Sequence, residues 1–415
     1  MPPSPAGAAA DALGRGDLAA AEDLARAALR DGESLPARLT LAQALAWQGR
    51  GRDADAVLTE VDPGTLAEAD LVAWALPRAA NQFWMLDEPE RATAFLRATR
   101  ARLQSATTVD ALLSTFAMNA GSPQRALELA EAVLRTPDAE DRAIGWAAST
   151  AALSAARMGR FAPVDSLAMR AGAAGHPGLL RFTAAFGQTT ALTMAGELDR
   201  AESLARHFGA SEATGNHAAA PAQPSSAIAQ VLLGEVLLTR GELDEAVSLL
   251  WEAATALSVT GYSWGPLAWM LSAQALGRQG RAVDAAKALS RAESRHGLKS
   301  MLFAPELALA RAWTCSARRD PVGAVAAARD AARAAARGGQ SAVAVRALHD
   351  AACLGDNRAG ESIAGLEMDC AFADLALEHA RALAGRDDAR LESVAKRLAA
   401  FGISRTGPGG PRPTW

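Results

Sequence analysis

Lysine and tyrosine are nearly missing from this sequence: three of its 42 basic residues are lysine, and Tyr262 is its one tyrosine. Aromatic residues make up only 5% of the 415 positions, although half of the chain is apolar. Strands draw on β-branched and aromatic side chains. Their scarcity argues against a sheet, and the abundant alanine is the best helix former. Arginine in place of lysine, with so much alanine, reads as the coding bias of a GC-rich genome. Cysteine occurs three times, at Cys315, Cys353 and Cys370, with no CxxC pair. An odd number of scattered thiols fits a reducing compartment rather than a disulfide framework. The start, MPPSPAGAAADALGRGD, lacks the apolar core of a signal peptide. The longest uncharged run, 253–277, is interrupted by Gly261, Ser263 and Pro266. It reads as two buried helices rather than the roughly 20 apolar residues a bilayer span needs. Acids and bases are interleaved around a net charge of −4, which offers no surface for tracking phosphates. The expectation is a cytoplasmic, all-helical chain without a membrane segment or direct nucleic-acid contact.

One sentence is present in abundance. Residues 195–205 read AGELDRAESLA and residues 240–250 read RGELDEAVSLL. The template is a turn residue, then alanine five positions on, then a leucine-rich helix. It runs through Gly16 and Ala21, Gly49 and Ala54, Asp87 and Ala92, Gly121 and Ala126, and Gly159 with Val164. It continues through Gly196 and Ala201, Gly241 and Ala246, Gly280 and Ala285, and Arg319 and Ala324. The copies stand 33 to 45 residues apart. Glycine closes a helix because it enters the left-handed conformation without a side-chain penalty. Asp or Glu next to it suits the start of a new helix, and the alanine lets two helices approach closely. Each unit is a helix pair that buries its faces only against its neighbours. A period slightly above 34 residues predicts a degenerate tetratricopeptide-like array. The predicted fold is all-α: a solenoid of about ten antiparallel helix pairs in a right-handed superhelix over 1–402. Residues 209–223 read as a loop insertion, and the Gly/Pro-rich 403–415 as a disordered tail.

Particular stretches resemble a known family. They are LAQALAWQGR (41–50), LPRAANQFWMLDEPERA (76–92), TGYSWGPLAWMLSAQALGRQGR (260–281), VRALHDAACLGDNRA (345–359) and LALEHARALAGRDDARLESVAKRLAAFG (375–402). They resemble the helical-repeat region of the large ATP-binding LuxR-family transcriptional regulators of actinobacteria. The resemblance covers about 17–402. It implies a sensor region that takes an inducer or partner protein and relays it to an NTPase switch. The chain departs from that family in two ways: it has no GxxxxGK[ST] phosphate loop and no LuxR-type helix-turn-helix after Gly402. The sequence therefore reads as cut at both ends, a truncated or stand-alone sensor module. Poorly capped ends predict self-association. The alternative is a free-standing scaffold that binds a partner protein or peptide.

Catalytic signals are weak. Residues 261–265, GYSWG, fit the GxSxG elbow of α/β-hydrolases, but that elbow follows a strand, whereas here a helix precedes it. The stretch reads as a loop between repeat helices, with no catalytic residue assigned. The histidines His176, His207, His217, His296, His349 and His379 read as solvated or capping residues, so no metal and no cofactor is expected. The aromatics carry two readings. Trp251, Tyr262, Trp264 and Trp269 cluster in sequence, as do Asn81, Phe83 and Trp84. They line either a groove on the concave face for a protein or small inducer, or the core, where large aromatics usually pack.

Overall fold

The computed structural model describes residues 4–32, 34–175, 179–213, 224–366, 368 and 370–403. These residues form 22 α-helices, from Pro5–Gly14 to Asp388–Ala400, and no strand. Short 3-10 segments occur at Leu257–Val259 and Leu298–Phe303, and a π-helical turn at Asn81–Met85. No described helix is long and apolar enough to cross a membrane. The uncharged run 253–277 divides into the end of Leu243–Ala256 and most of Trp264–Arg278. The insertion expected at 209–223 begins inside the last turn of Leu198–Ala213, and 214–223 lie outside the described residues. So do residues 404–415 of the tail.

The repeated sentence is a backbone device. All nine turn residues have positive φ, from 59° at Asp87 to 88° at Gly196 and Gly241. At Gly49, the turn N–H donates to Ala46 O (3.0 Å) and the next N–H, of Arg50, donates to Leu45 O (2.9 Å). This is the Schellman closure of a helix C-terminus. Arg50 then caps the helix Gly51–Thr59, and Ala54 N donates to Arg50 O at 3.1 Å. The offset of five thus runs from the left-handed residue, through the cap, to the first residue that closes an intrahelical bond. In all nine copies the residue at that offset is at most 1% exposed. A small side chain fits where the new helix leans on the old one: a methyl group in eight copies and Val164 in the ninth.

The helices pair into eleven repeats, numbered here by their turns, where the sentence indicated about ten. The two it missed turn at Gly355, between Ser341–Cys353 and Ala359–Ala364, and at Arg386, between Ala371–Gly385 and Asp388–Ala400. Five positions on stand Gly360 and Leu391, so the alanine is gone. The third repeat closes differently. Its helix Glu68–Ala80 contains Pro77 and widens into the π turn, and Glu88 N reaches back to Gln82 O at 2.9 Å.

The helices before the turns form an inner layer, each against the inner helices of adjacent repeats. Each outer helix lies in the groove between its own inner helix and the next. The outer Pro123–Arg135 buries one stripe, Pro123, Ala126, Leu127, Ala130 and Val133, as a surface helix does. The inner Asp141–Arg157 buries every residue from 147 to 157. The inner helices of the middle repeats, such as Asp141–Arg157 and Trp264–Arg278, are covered on most sides because the superhelix closes on itself. A Cβ on Gly49 would stand 2.4 Å from Val259 O, one on Gly261 2.1 Å from Trp84 O, and one on Gly196 2.6 Å from the Phe401 ring. Met301 and Met368 approach Gly121 and Gly159 in the same way. The turns of repeats two to six therefore meet the loops and chain end that follow repeats seven to eleven. About five repeats make one superhelical turn, and the second turn is stacked edge-on against the first.

Candidate functional site

The most concentrated chemistry lies on the inner layer. Arg157 ends the inner helix of repeat five, and its side chain is only 3% exposed. Its Nε donates to Gln340 Oε1 at 2.5 Å, and its Nη2 donates to Leu302 O (2.9 Å) and Glu306 Oε1 (2.8 Å). The guanidinium also lies over the Phe303 ring. Those partners come from repeats nine and ten, so one arginine ties the two superhelical turns together. Arg346, on the inner helix of repeat ten, reaches repeat seven. Its Nη1 donates to Glu235 Oε1 at 3.0 Å and its Nη2 to Thr239 Oγ1 at 2.7 Å. Arg278 Nη1 donates to Leu238 O at 2.6 Å and its guanidinium faces Trp313. The Trp313 indole N–H donates to Asp350 Oδ2 at 3.1 Å.

Burial dominates the electrostatics of this seam. It pushes the Glu235 carboxyl above the usual carboxylate range; Glu306 adds to that shift, while Arg346 and Arg157 oppose it. Burial likewise pushes Asp350 up and Arg278 down. Glu306 Oε2 is buried with no hydrogen-bond partner. Charges taken out of water cost several kcal/mol each before pairing repays them. Solenoid packing alone calls for apolar side chains here, so three arginines and three acids on facing inner helices mark a candidate site for a polar or charged ligand. The protein's shallow surface depressions, beside Arg381 and Arg390 and beside Lys287 and Arg318, lie away from this seam.

The aromatic candidates do not gather in one groove. Phe83 is stacked on Phe116 with ring centroids 4.1 Å apart, and Trp84 meets Phe116 and Tyr262 at 5.3 and 6.2 Å. The Tyr262 hydroxyl is hydrogen-bonded with Trp47, and burial pushes its pKa up to about 12. Trp251 and Trp269 form an edge-to-face pair at 5.0 Å, with the Arg291 guanidinium over both rings. Trp264 packs against Phe186, and Asn81 Nδ2 donates to Gly51 O at 2.8 Å. Asn81, Phe83 and Trp269 are buried; Trp84, Trp251, Tyr262 and Trp264 are half-buried. Trp84, Tyr262 and Trp47 belong to the contact between superhelical turns. There Lys299 Nζ donates to Trp84 O at 2.9 Å, and Gly261 N donates to Met85 Sδ at 3.3 Å. The π turn presents these atoms, as π-bulges commonly do at special contacts. The GYSWG stretch is a loop that enters the helix Trp264–Arg278, with Ser263 Oγ donating to Lys299 O.

Two histidines correct the reading from sequence. His349 Nε2 and His379 Nδ1 stand 2.9 Å apart, one on each of two facing inner helices; both are half-buried and neither caps a helix. Cys353 lies one helical turn after His349, and a ligand atom from each of the three falls within 4.8 Å of the others. Burial, then Arg278 and Arg346, bring the His349 pKa down to about 4. His379 comes from another helix, so sequence spacing did not reveal the group. The seam had a legible signal that was passed over: a lone charge inside an apolar run, as in LLGEVLLTR and AVAVRALHD.

Among solved structures, the chain is similar to a Rap protein complexed with Competence and Sporulation Factor. The TM-score is 0.54 at 14% identity, and the likeness covers 88% of this chain and 99% of that one. It also aligns with the APC/C hetero-tetramer Cut9–Hcn1, at a TM-score of 0.29 and 14% identity, over 94% of this chain and 95% of that one. No protein-family model matches the sequence, and no curated protein matches it. The chain is a tetratricopeptide-like helical-repeat solenoid. At this identity the likeness establishes the fold; any ligand must be argued from the inner layer itself.

Proposed function

We propose that the chain is the non-catalytic sensor and protein-interaction module of a LuxR-family transcriptional regulator, taking a protein or small inducer on its inner, concave layer. The observation that carries this reading is the buried seam Arg157–Glu306 and Glu235–Arg346, which joins repeats five, seven, nine and ten. An effector that competes for these charges exchanges one set of ion pairs for another and loosens the contact between superhelical turns. That is the differential contact a relay requires. The stretches that resemble the LuxR-family repeats support the family assignment. The Rap protein, solved with Competence and Sporulation Factor, shows that a solenoid of this fold is compatible with an effector complex. Trp84, Tyr262 and Trp264 flank the contact between turns, and they are the aromatics of the candidate set that an incoming effector would meet.

Site-specific photo-crosslinking tests the reading. A photoreactive side chain at Thr239, on the inner layer beside Arg346, is compared with one at Val322, which is 80% exposed on an outer helix. Irradiation in cells of the source organism is expected to give an adduct at 239 and none at 322. Adducts only at 322, or none at 239, would sink the proposal. The purified chain is also expected to show no ATP turnover and no specific retardation of DNA at physiological salt. A free-standing scaffold that binds a partner protein or peptide is the second reading. It gives the same adduct position with a partner that has no NTPase or DNA-binding part. Self-association through the ends is part of the proposal, and a monodisperse monomer in light scattering at high concentration would remove it.

A further inference from the structure

We propose that His349, Cys353 and His379 form a binding site for a soft divalent cation of the zinc class. The fourth position would be open to solvent beside the exposed Cys353. The geometry is that of a clamp between two inner helices. His349 and Cys353 lie at i and i+4, on one face of Ser341–Cys353. His379 comes from Ala371–Gly385 in the last repeat. Zinc takes imidazole nitrogen at about 2.0–2.1 Å and thiolate sulfur at about 2.3 Å in a tetrahedral set, which puts the donor atoms about 3.3–3.6 Å apart. The three ligand atoms here lie within 4.8 Å of one another, and the two ring nitrogens 2.9 Å apart. Coordination would open the gap between the two ring nitrogens and draw the thiol sulfur in by up to about 1 Å, a distance side-chain rotation covers.

The donor set selects the class of ion. One thiolate and two imidazoles suit zinc and its transition-metal neighbours, whereas calcium and magnesium require oxygen ligands. None of the cysteines is in a disulfide. Arg278 and Arg346 bear on His349, and Arg278 also feels Cys353. The Phe372 ring meets His349 edge-on at 5.4 Å and fixes its plane from the second helix. A bound cation would replace the His349–His379 hydrogen bond by coordination of all three side chains. It would thereby join repeats ten and eleven, the two that lack the alanine of the repeated sentence.

Cobalt(II) is the probe, because a thiolate ligand gives it a charge-transfer band and a tetrahedral site gives it intense visible d–d bands. The full-length purified protein is expected to develop both at one equivalent of Co2+, and Zn2+ should abolish them. Cys353→Ser, at an exposed position, should lose the charge-transfer band while keeping the apo melting temperature. Cys315→Ser and Cys370→Ser should keep the band. His379→Asn should weaken Co2+ binding at least tenfold. No charge-transfer band in the wild type would overturn the proposal, as would a band that survives Cys353→Ser. Retention of full affinity in a folded His379→Asn variant would overturn the two-helix clamp. Because apo protein and metal alone are used, this result is independent of whether any effector binds the charged seam.

Discussion

The turn at Gly49, in QGRGRDA, and the turn at Gly280, in QGRAVDA, are written in nearly the same residues and have nearly the same backbone, with φ of 80° and 76°. One is built in and the other is open. A Cβ at Gly49 would strike Val259 O at 2.4 Å, whereas one at Gly280 would meet nothing within 4 Å. At Gly49 the first superhelical turn offers its edge to the second, and at Gly280 the second offers its own to solvent. Local sequence makes the repeat; the position of the repeat in the superhelix decides how much each glycine carries. In the first turn, glycine serves both the left-handed backbone and the passage of another chain segment. At Gly280, in the second, it serves the backbone alone.

The most severe way to break this contrast is at the seam. Arg157→Met should cost about 3–5 kcal/mol, because it leaves Glu306 buried without its cation. A large fall in the denaturation midpoint is expected, and a change below about 1 kcal/mol would show that the seam does not hold the turns. Gly49→Ala combines left-handed strain of about 1–2 kcal/mol with overpacking of about 1–3 kcal/mol. Calorimetry of that variant should show a clear drop in melting temperature. Gly280→Ala should lose only the strain, about 1 kcal/mol. Equal losses at 49 and 280 would mean that the two edges are alike in solution. The smallest effect is a gain. Arg319 is exposed and holds φ of 63°, so Arg319→Gly should stabilise by about 0.5 kcal/mol, the released strain less the entropy of glycine in the unfolded chain. Urea titration resolves it, and a destabilised variant would show that the Arg319 side chain has an unrecognised partner.

What the sequence disclosed follows from what is local. The turn residues were legible because a helix end, a cap and the next helix occupy one short segment. The pattern was firm enough to mark Asp87 and Arg319 as turn residues without glycine, and the structure holds both at positive φ. Gly355 and Arg386 escaped because the small residue five positions on is Gly360 or is replaced by Leu391. The stacking of superhelical turns left no local mark: Gly49 and Val259, or Trp84 and Lys299, are about two hundred residues apart in the chain. The aromatic candidates were visible as residues but not as places, and the structure divides them among three packing clusters. Charged residues on the inner helices were present in plain view, and only the closure of the superhelix gives Arg157 and Glu306 their meeting point.

Small-angle X-ray scattering on the monomer fraction from size exclusion tests most directly whether the two superhelical turns close on each other. A stacked particle should have a radius of gyration near the roughly 22 Å of a compact chain of this length. It should expand in the Arg157→Met, Arg346→Met double variant. An elongated wild-type particle well above that radius, unchanged by the double substitution, would contradict the closed superhelix and the seam that holds it.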